Sequence, residues 1–309
     1  MHLMKLPSIE QLNQAFAIHE GKHRLQFKNG QGDIPIIEIE NAQARAVISL
    51  QGAHLLSWVP VGCDDVIWLS DEAKFAPGKS VRGGIPVCWP WFGAHETNAS
   101  YPAHGFARTV PWQVKATQAL SADETQITFA LDTTTLDENY QAMWSAPTVA
   151  EYCLTIGRDL LLELTTHNCG DYAVIISQAL HTYFKVADVS TTQVLGLEGS
   201  DYLDKTDDFK RKTQNGPVTI AGEVDRVYVE TTDDVIIDDQ QRKIKIQKHG
   251  SDSTVVWNPW QVVAAKMGDL GTDGYLHMLC VESANAMEDS VLINAGTQHT
   301  LQVRYTLEK

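Results

Sequence analysis

The chain has 309 residues, of which 43% are hydrophobic and 20% charged, and its 24 basic and 39 acidic side chains give a formal net charge of -15. These proportions suit a folded globular protein, and no apolar run approaches the ~20 residues of a spanning helix, so no membrane partner is expected. A field of this sign repels a nucleic-acid backbone, which excludes nucleic acid as a partner and leaves any anionic ligand to a few locally placed arginines.

The opening stretch "MHLMKLPSIEQLNQAF" has no apolar signal region and no small-residue cleavage site, so nothing marks it for export. Ser8 and Gln11 have capping-box spacing, and Leu12, Ala15 and Phe16 share one face; this predicts a short helix within an N-terminal lead-in over residues 1–25. From residue 26 to 309 the rhythm predicts one β domain. "IPIIEIEN" (34–41), "ARAVISLQG" (44–52), "TQITFALDT" (125–133), "KIKIQKH" (243–249) and "HTLQVRYTLE" (299–308) alternate apolar and polar residues as half-buried strands do. "TVAEYCLTI" and "RDLLLELTTHN", either side of Gly157–Asp159, predict a hairpin of more deeply buried strands, and "YAVIISQALHTYFKV" (172–186) predicts another. The acidic pairs Asp207-Asp208, Asp233-Asp234 and Asp238-Asp239 read as solvated loop tips. So many strands without intervening helices predict an all-β fold, a large twisted antiparallel sandwich with a short N-terminal helix.

The five cysteines, Cys63, Cys88, Cys153, Cys169 and Cys280, are odd in number and form no C-x-x-C, so they read as reduced thiols of a cytoplasmic protein. Four stretches carry residues that strands do not need. "SVRGGIPVCWPWFGAH" (80–95) places Arg82 beside two glycines whose backbone can approach an anion, and "YPAHGFARTVPW" (101–112) places His104 and Arg108 between two prolines. Each arginine could grip a phosphate or carboxylate through paired hydrogen bonds, or it could simply answer a surface carboxylate. In "ALHTYFKV" (179–186) His181 lies on an apparent strand, as either a hydrogen-bonded core residue or a catalyst; in "LCVESAN" (279–285) Glu282 sits among apolar neighbours, where a carboxylate is costly unless it is paired or functional. The glycines of "MGDLGTDG" lack dinucleotide spacing, His249, His277 and His299 lack metal-ligand spacing, and there is no G-x-S-x-G, so no metal, no cofactor and no hydrolase elbow is expected.

Taken in order, "VRGGIPVCWPWFG", "PAHGFAR", "LHTYFKVAD", "DRVY", "VVWNPW" and "CVESAN" resemble the D-hexose-6-phosphate mutarotases (glucose-6-phosphate 1-epimerases) of the aldose 1-epimerase, galactose mutarotase-like superfamily. The resemblance runs from about Leu50 to near the C-terminus. It implies a β-sandwich with the substrate in a cleft on one sheet, and His181 and Glu282 as the catalytic pair. It further implies Arg82 and Arg108 at the 6-phosphate, His104 as a sugar-binding or catalysis-supporting histidine, Asp225 as a sugar-hydroxyl contact, and Gln51, Trp91 and Trp260 as cleft-lining residues. The implied reaction is acid–base opening of the hemiacetal ring and reclosure from the other face, without metal or cofactor, on a small-molecule sugar phosphate. A monomer is expected. The alternatives are an epimerase of unphosphorylated aldoses, for which two arginines are superfluous, and a non-catalytic sugar-binding protein, for which the acid–base pair is superfluous. A glycosidase would usually bring two carboxylates.

Overall fold

The computed structural model describes residues 7–308, so Met1 to Leu6 of the expected lead-in lie outside the described residues. The helix Ile9–Phe16 forms as expected: the Ser8 side chain accepts from the Gln11 backbone and the Gln11 side chain answers the Ser8 backbone. The chain then goes straight into strands Ile18–Glu20 and His23–Asn29. A boundary at residue 25 therefore falls inside a strand whose Leu25 and Phe27 are core residues.

The named strands pair antiparallel throughout. Five of them, from Ile18–Glu20 through His54–Pro60, form an N-terminal sheet in sequence order. A nine-stranded sheet contains the predicted hairpin Thr148–Ile156/Leu160–Asn168 and places Leu160–Asn168 beside Gln298–Glu308. An eight-stranded sheet is built around Met278–Asn285, which pairs with Ser253–Asn258 on one side and with Gln178–Leu180 and Tyr183–Lys185 on the other. The core lies between the layers. Leu162, Leu164, Leu301 and Tyr305 of the nine-stranded sheet meet Leu180, Phe184, Leu279 and Val281 of the eight-stranded one in a single apolar cluster. Polar atoms that cross this core are matched: Thr182 Oγ1 shares a 2.6 Å hydrogen bond with the Tyr305 hydroxyl, and Trp58 Nε1 donates to Gly157 O at 3.1 Å.

Three local expectations are corrected. Residues 172–186 do not form a hairpin; they break into Val174–Ile176, Gln178–Leu180 and Tyr183–Lys185, each paired with a distant strand. Long-range pairing wins because the fully buried strand Met278–Asn285 offers Gln178–Leu180 and Tyr183–Lys185 a ladder that a local turn could not, while Val174–Ile176 pairs at the surface with Val291–Ile293. His181 consequently falls in the gap between two strands and not on one. Asp239 is not a loop tip either: it is 4% exposed, and its carboxylate accepts the backbone N–H groups of Gln241 and Arg242.

Candidate active site

The strand Met278–Asn285 is buried on both faces, so its apolarity hides an alternation that the register reveals. Leu279 and Val281 point into the main core, which sends Cys280 and Glu282 to the opposite face of the sheet. Trp257 and Tyr183 lie directly across from Cys280, and Asp225 lies across from Trp257; one row higher, Val255 lies across from Glu282. The floor of a cleft is thereby set by strand periodicity alone.

Two loops close it. Gly84 N donates to Trp68 O while Gly84 O accepts from Tyr183 N, and His181 N donates to Pro86 O at 3.0 Å, so the loop bearing Arg82 is laced to the segment bearing the histidine. Gly84 has φ +73, and a Cβ there would meet Leu55 O at 2.6 Å and run into His54 Nε2; only glycine fits. The second loop docks on the first, with Phe106 and Ala107 both donating to Trp89 O at 3.2 Å and His104 N donating to Gly93 O at 2.7 Å.

The resulting cleft encloses about 220 Å³, room for one small ligand, and is lined by Arg82, His104, Arg108, His181, Asp225 and Glu282 of the expected set. Larger hollows of about 420, 400 and 530 Å³ elsewhere on the surface contain none of these residues. His181 Nε2 stands 3.3 Å from Glu282 Oε1. Glu282 is 1% exposed, and burial pushes its carboxyl well above the ordinary value; Asp225 reinforces the shift while Lys205 and Arg108 oppose it. Burial likewise pushes the His181 imidazole well below its ordinary value, helped by His104 and Arg108. His181 is stacked on the Tyr183 ring with centroids 4.9 Å apart, and Trp257 and His104 meet it edge-on. His104 accepts from Gly93 N at Nδ1, which puts the proton of the neutral ring on Nε2; burial first, then Arg108 and Lys205, hold its pKa down at about 3.

His181 Nδ1, Glu282 Oε2 and Asp225 Oδ1 are buried without a hydrogen-bond partner. Such atoms are rare in folded proteins, and three in one cleft mark where a polar ligand belongs. The two arginines differ. Arg82 is held by Asp269 (Nε to Oδ1, 3.1 Å) and donates to the Tyr183 hydroxyl; Arg108 donates to Ala103 O and has no carboxylate at ion-pair distance among the described residues.

Three expected residues fall elsewhere. Gln51 spends its amide on the neighbouring loop, donating to Ala76 O and Lys79 O and accepting from Gly78 N, and does not line the cleft. Trp91 packs on His95, Tyr101 and Phe106 with its indole N–H on Pro102 O, and Trp260 packs on Tyr275. Phe92 and Trp257 take the places in the cleft that those two tryptophans were expected to hold. The aromatic-rich loop thus buries most of its rings as internal packing. The sequence reading missed Lys205, whose Nζ is 2.7 Å from Asp225 Oδ2, and Cys280, whose sulfur lies within 4.8 Å of ligand atoms of His181 and Glu282. Lys205 had no signal, since it follows a strand in an acidic turn. Cys280 could have been placed by its two-residue spacing from Glu282.

An antiparallel sandwich with an imidazole–carboxylate couple in a cation-rimmed cleft on one sheet is of the mutarotase-like class. A Salmonella typhimurium crystal structure described provisionally as a mutarotase superposes with a TM-score of 0.84 at 31% identity, covering 98% of this chain and 100% of that one. The chain belongs to the aldose 1-epimerase family, whose model matches residues 35–306. An Escherichia coli K12 protein provisionally named glucose-6-phosphate 1-epimerase is 34% identical over 97% of this chain and 96% of its own length. A Salmonella typhimurium protein of the same name is 35% identical over 92% and 91%.

Proposed function

We propose that this protein interconverts the α and β anomers of hexose 6-phosphates, glucose 6-phosphate foremost. The observation that carries the reading is the His181–Glu282 couple, 3.3 Å apart, facing a cleft whose rim bears Arg82 and Arg108. Ring opening requires one proton to leave the C1 hydroxyl and another to reach the ring oxygen; rotation about C1–C2 and reclosure then give the other anomer. Glu282 takes the first proton and His181 delivers the second. Glu282 carboxylate with imidazolium and Glu282 acid with neutral imidazole hold the same number of protons, so the couple needs only an internal transfer to pass between them. Burial favours the neutral form of each partner, and the cations at the rim favour the carboxylate.

Arg82 and Arg108 grip the 6-phosphate, while Asp225 and His104 Nε2 meet sugar hydroxyls; the names borne by the two bacterial relatives support the phosphorylated substrate. The five cysteines, unpaired with one another, suit a reducing cytosol. The test is NMR exchange between the anomeric protons of glucose 6-phosphate and, in parallel, of glucose. Acceleration of the phosphate ester well beyond that of the free sugar supports the reading, and preference for free glucose overturns it.

A further inference from the structure

We propose that the same cleft binds a thiophilic divalent cation, Zn²⁺ or Cd²⁺, through His181, Cys280 and Glu282, and that occupancy blocks the sugar reaction. The second half rests on the catalytic reading above. The three side chains present one nitrogen, one sulfur and one oxygen within 4.8 Å of one another, all buried. Two ligands each ~2.0–2.1 Å from zinc at a tetrahedral angle stand about 3.4 Å apart, and the His181 Nε2 to Glu282 Oε1 separation is 3.3 Å. A thiolate at ~2.3 Å from the metal stands about 3.6 Å from the other ligands, so Cys280 need shift by no more than roughly 1 Å. Strand alternation already aims it to the same side as Glu282.

The second atoms of the same groups are not committed elsewhere in the fold, so neither side chain is tied against turning toward a metal. His181 is 9% exposed and Glu282 1%, yet Nδ1 of one and Oε2 of the other have no partner. Binding removes the Cys280 thiol proton to solvent, so a carboxylate and a thiolate balance the two charges of the cation and nothing buried is left uncompensated. Of the nearby cations Lys205 is answered by Asp225 and Arg82 by Asp269, so Arg108 alone is left to repel the incoming metal, and the thiolate and carboxylate outweigh it. Mixed thiolate and imidazole ligation selects Zn²⁺ or Cd²⁺ over Mg²⁺ and Ca²⁺. The remaining coordination position opens on the cleft, where the sugar would otherwise lie.

The probe is the metal alone, titrated into the full chain, with wild type compared with Cys280→Ser and, as a second variant, Glu282→Gln. Expected are one Cd²⁺ per chain by calorimetry and an ultraviolet thiolate-to-metal charge-transfer band that Cys280→Ser abolishes and Glu282→Gln weakens. Zn²⁺ should inhibit anomerisation competitively with the sugar phosphate and reversibly on chelation, with a midpoint at least tenfold higher in Cys280→Ser. Metal binding that is the same in wild type and both variants overturns the site, because it would come from the other four cysteines or surface histidines. A Cys280-dependent band in a protein that anomerises no sugar leaves the site standing and removes the catalytic reading. Full Cd²⁺ occupancy without inhibition overturns the claim that the metal blocks the reaction.

Discussion

Replacing Glu282 by glutamine keeps shape and volume while removing the carboxylate that takes the C1 proton. A positioned general base contributes about 10²–10⁴-fold, which at 1.36 kcal/mol per decade is roughly 2.7–5.4 kcal/mol of barrier, so anomerisation by the variant should fall by at least 100-fold. Stability should move the other way. Glu282 is 1% exposed with Oε2 unpartnered, and burial holds its pKa well above the ordinary value. A raised folded-state pKa means that this group's contribution to stability is full below the unfolded value and is lost as pH rises through the folded one. Glutamine has no such loss, so the variant should melt at the same temperature as wild type in acid and at an equal or higher temperature in alkali. The assay is NMR exchange on glucose 6-phosphate, paired with thermal melts across pH. A variant that keeps its rate within tenfold, or loses stability as it loses activity, refutes the reasoning.

The double variant Arg82→Ala/Arg108→Ala should raise KM for the sugar phosphate strongly, since hydrogen bonds to charged groups are worth about 1.5–3 kcal/mol each, while anomerisation of free glucose changes far less; equal effects on both substrates would count against a phosphate grip. Lys205 opposes the rise in the Glu282 pKa, so in Lys205→Met the carboxylate holds its proton to higher pH and the acidic limb of the rate profile moves up in pH. Lys205→Arg should restore it, and an unmoved limb in Lys205→Met rejects the role. Gly84→Ala forces a side chain onto φ +73, a conformation costing about 1–3 kcal/mol before its collisions are counted; the melting temperature and the phosphate affinity should fall together, and an unchanged melt would sink the steric argument. His54 is buried, donates to Gly83 O through Nε2 and is held neutral, burial lowering its pKa to about 4. Its contribution is therefore present above ~6.5 and lost as pH falls toward that lowered value. The stability gap between wild type and His54→Gln should narrow over that window in urea titrations, and a constant gap contradicts the assignment.

Much of this was legible because alternation is local. The half-buried strands such as Pro35–Glu40 and Lys243–His249 announce themselves by their period. The stretch 172–186 did not, because its apolar residues mix buried Val174 and Ile176 with exposed Ile175, and its partner strands Met278–Asn285 and Val291–Ile293 lie far off in the sequence. In the site, His181, Glu282, Arg82 and Arg108 stood out because charge or imidazole interrupts an apolar or glycine-rich context. Trp91 and Trp260 were misplaced for the converse reason: an indole is as useful in packing as in a cleft, and only register tells Trp257 from its neighbour three residues on. Lys205 enters through the pairing of Asp201–Asp204 with Val224–Tyr228, which no short window contains.

The two-faced strand Met278–Asn285 also limits how this protein can change over generations. Leu279 and Val281 hold the core while Cys280 and Glu282 between and beyond them face the cleft side, so one inserted or deleted residue would trade Glu282 for an aliphatic neighbour and drive a carboxylate into the interior in a single step. Side chains along it can be exchanged one at a time, whereas its length is frozen, and lineages of this fold should gather their insertions in the turns and never here.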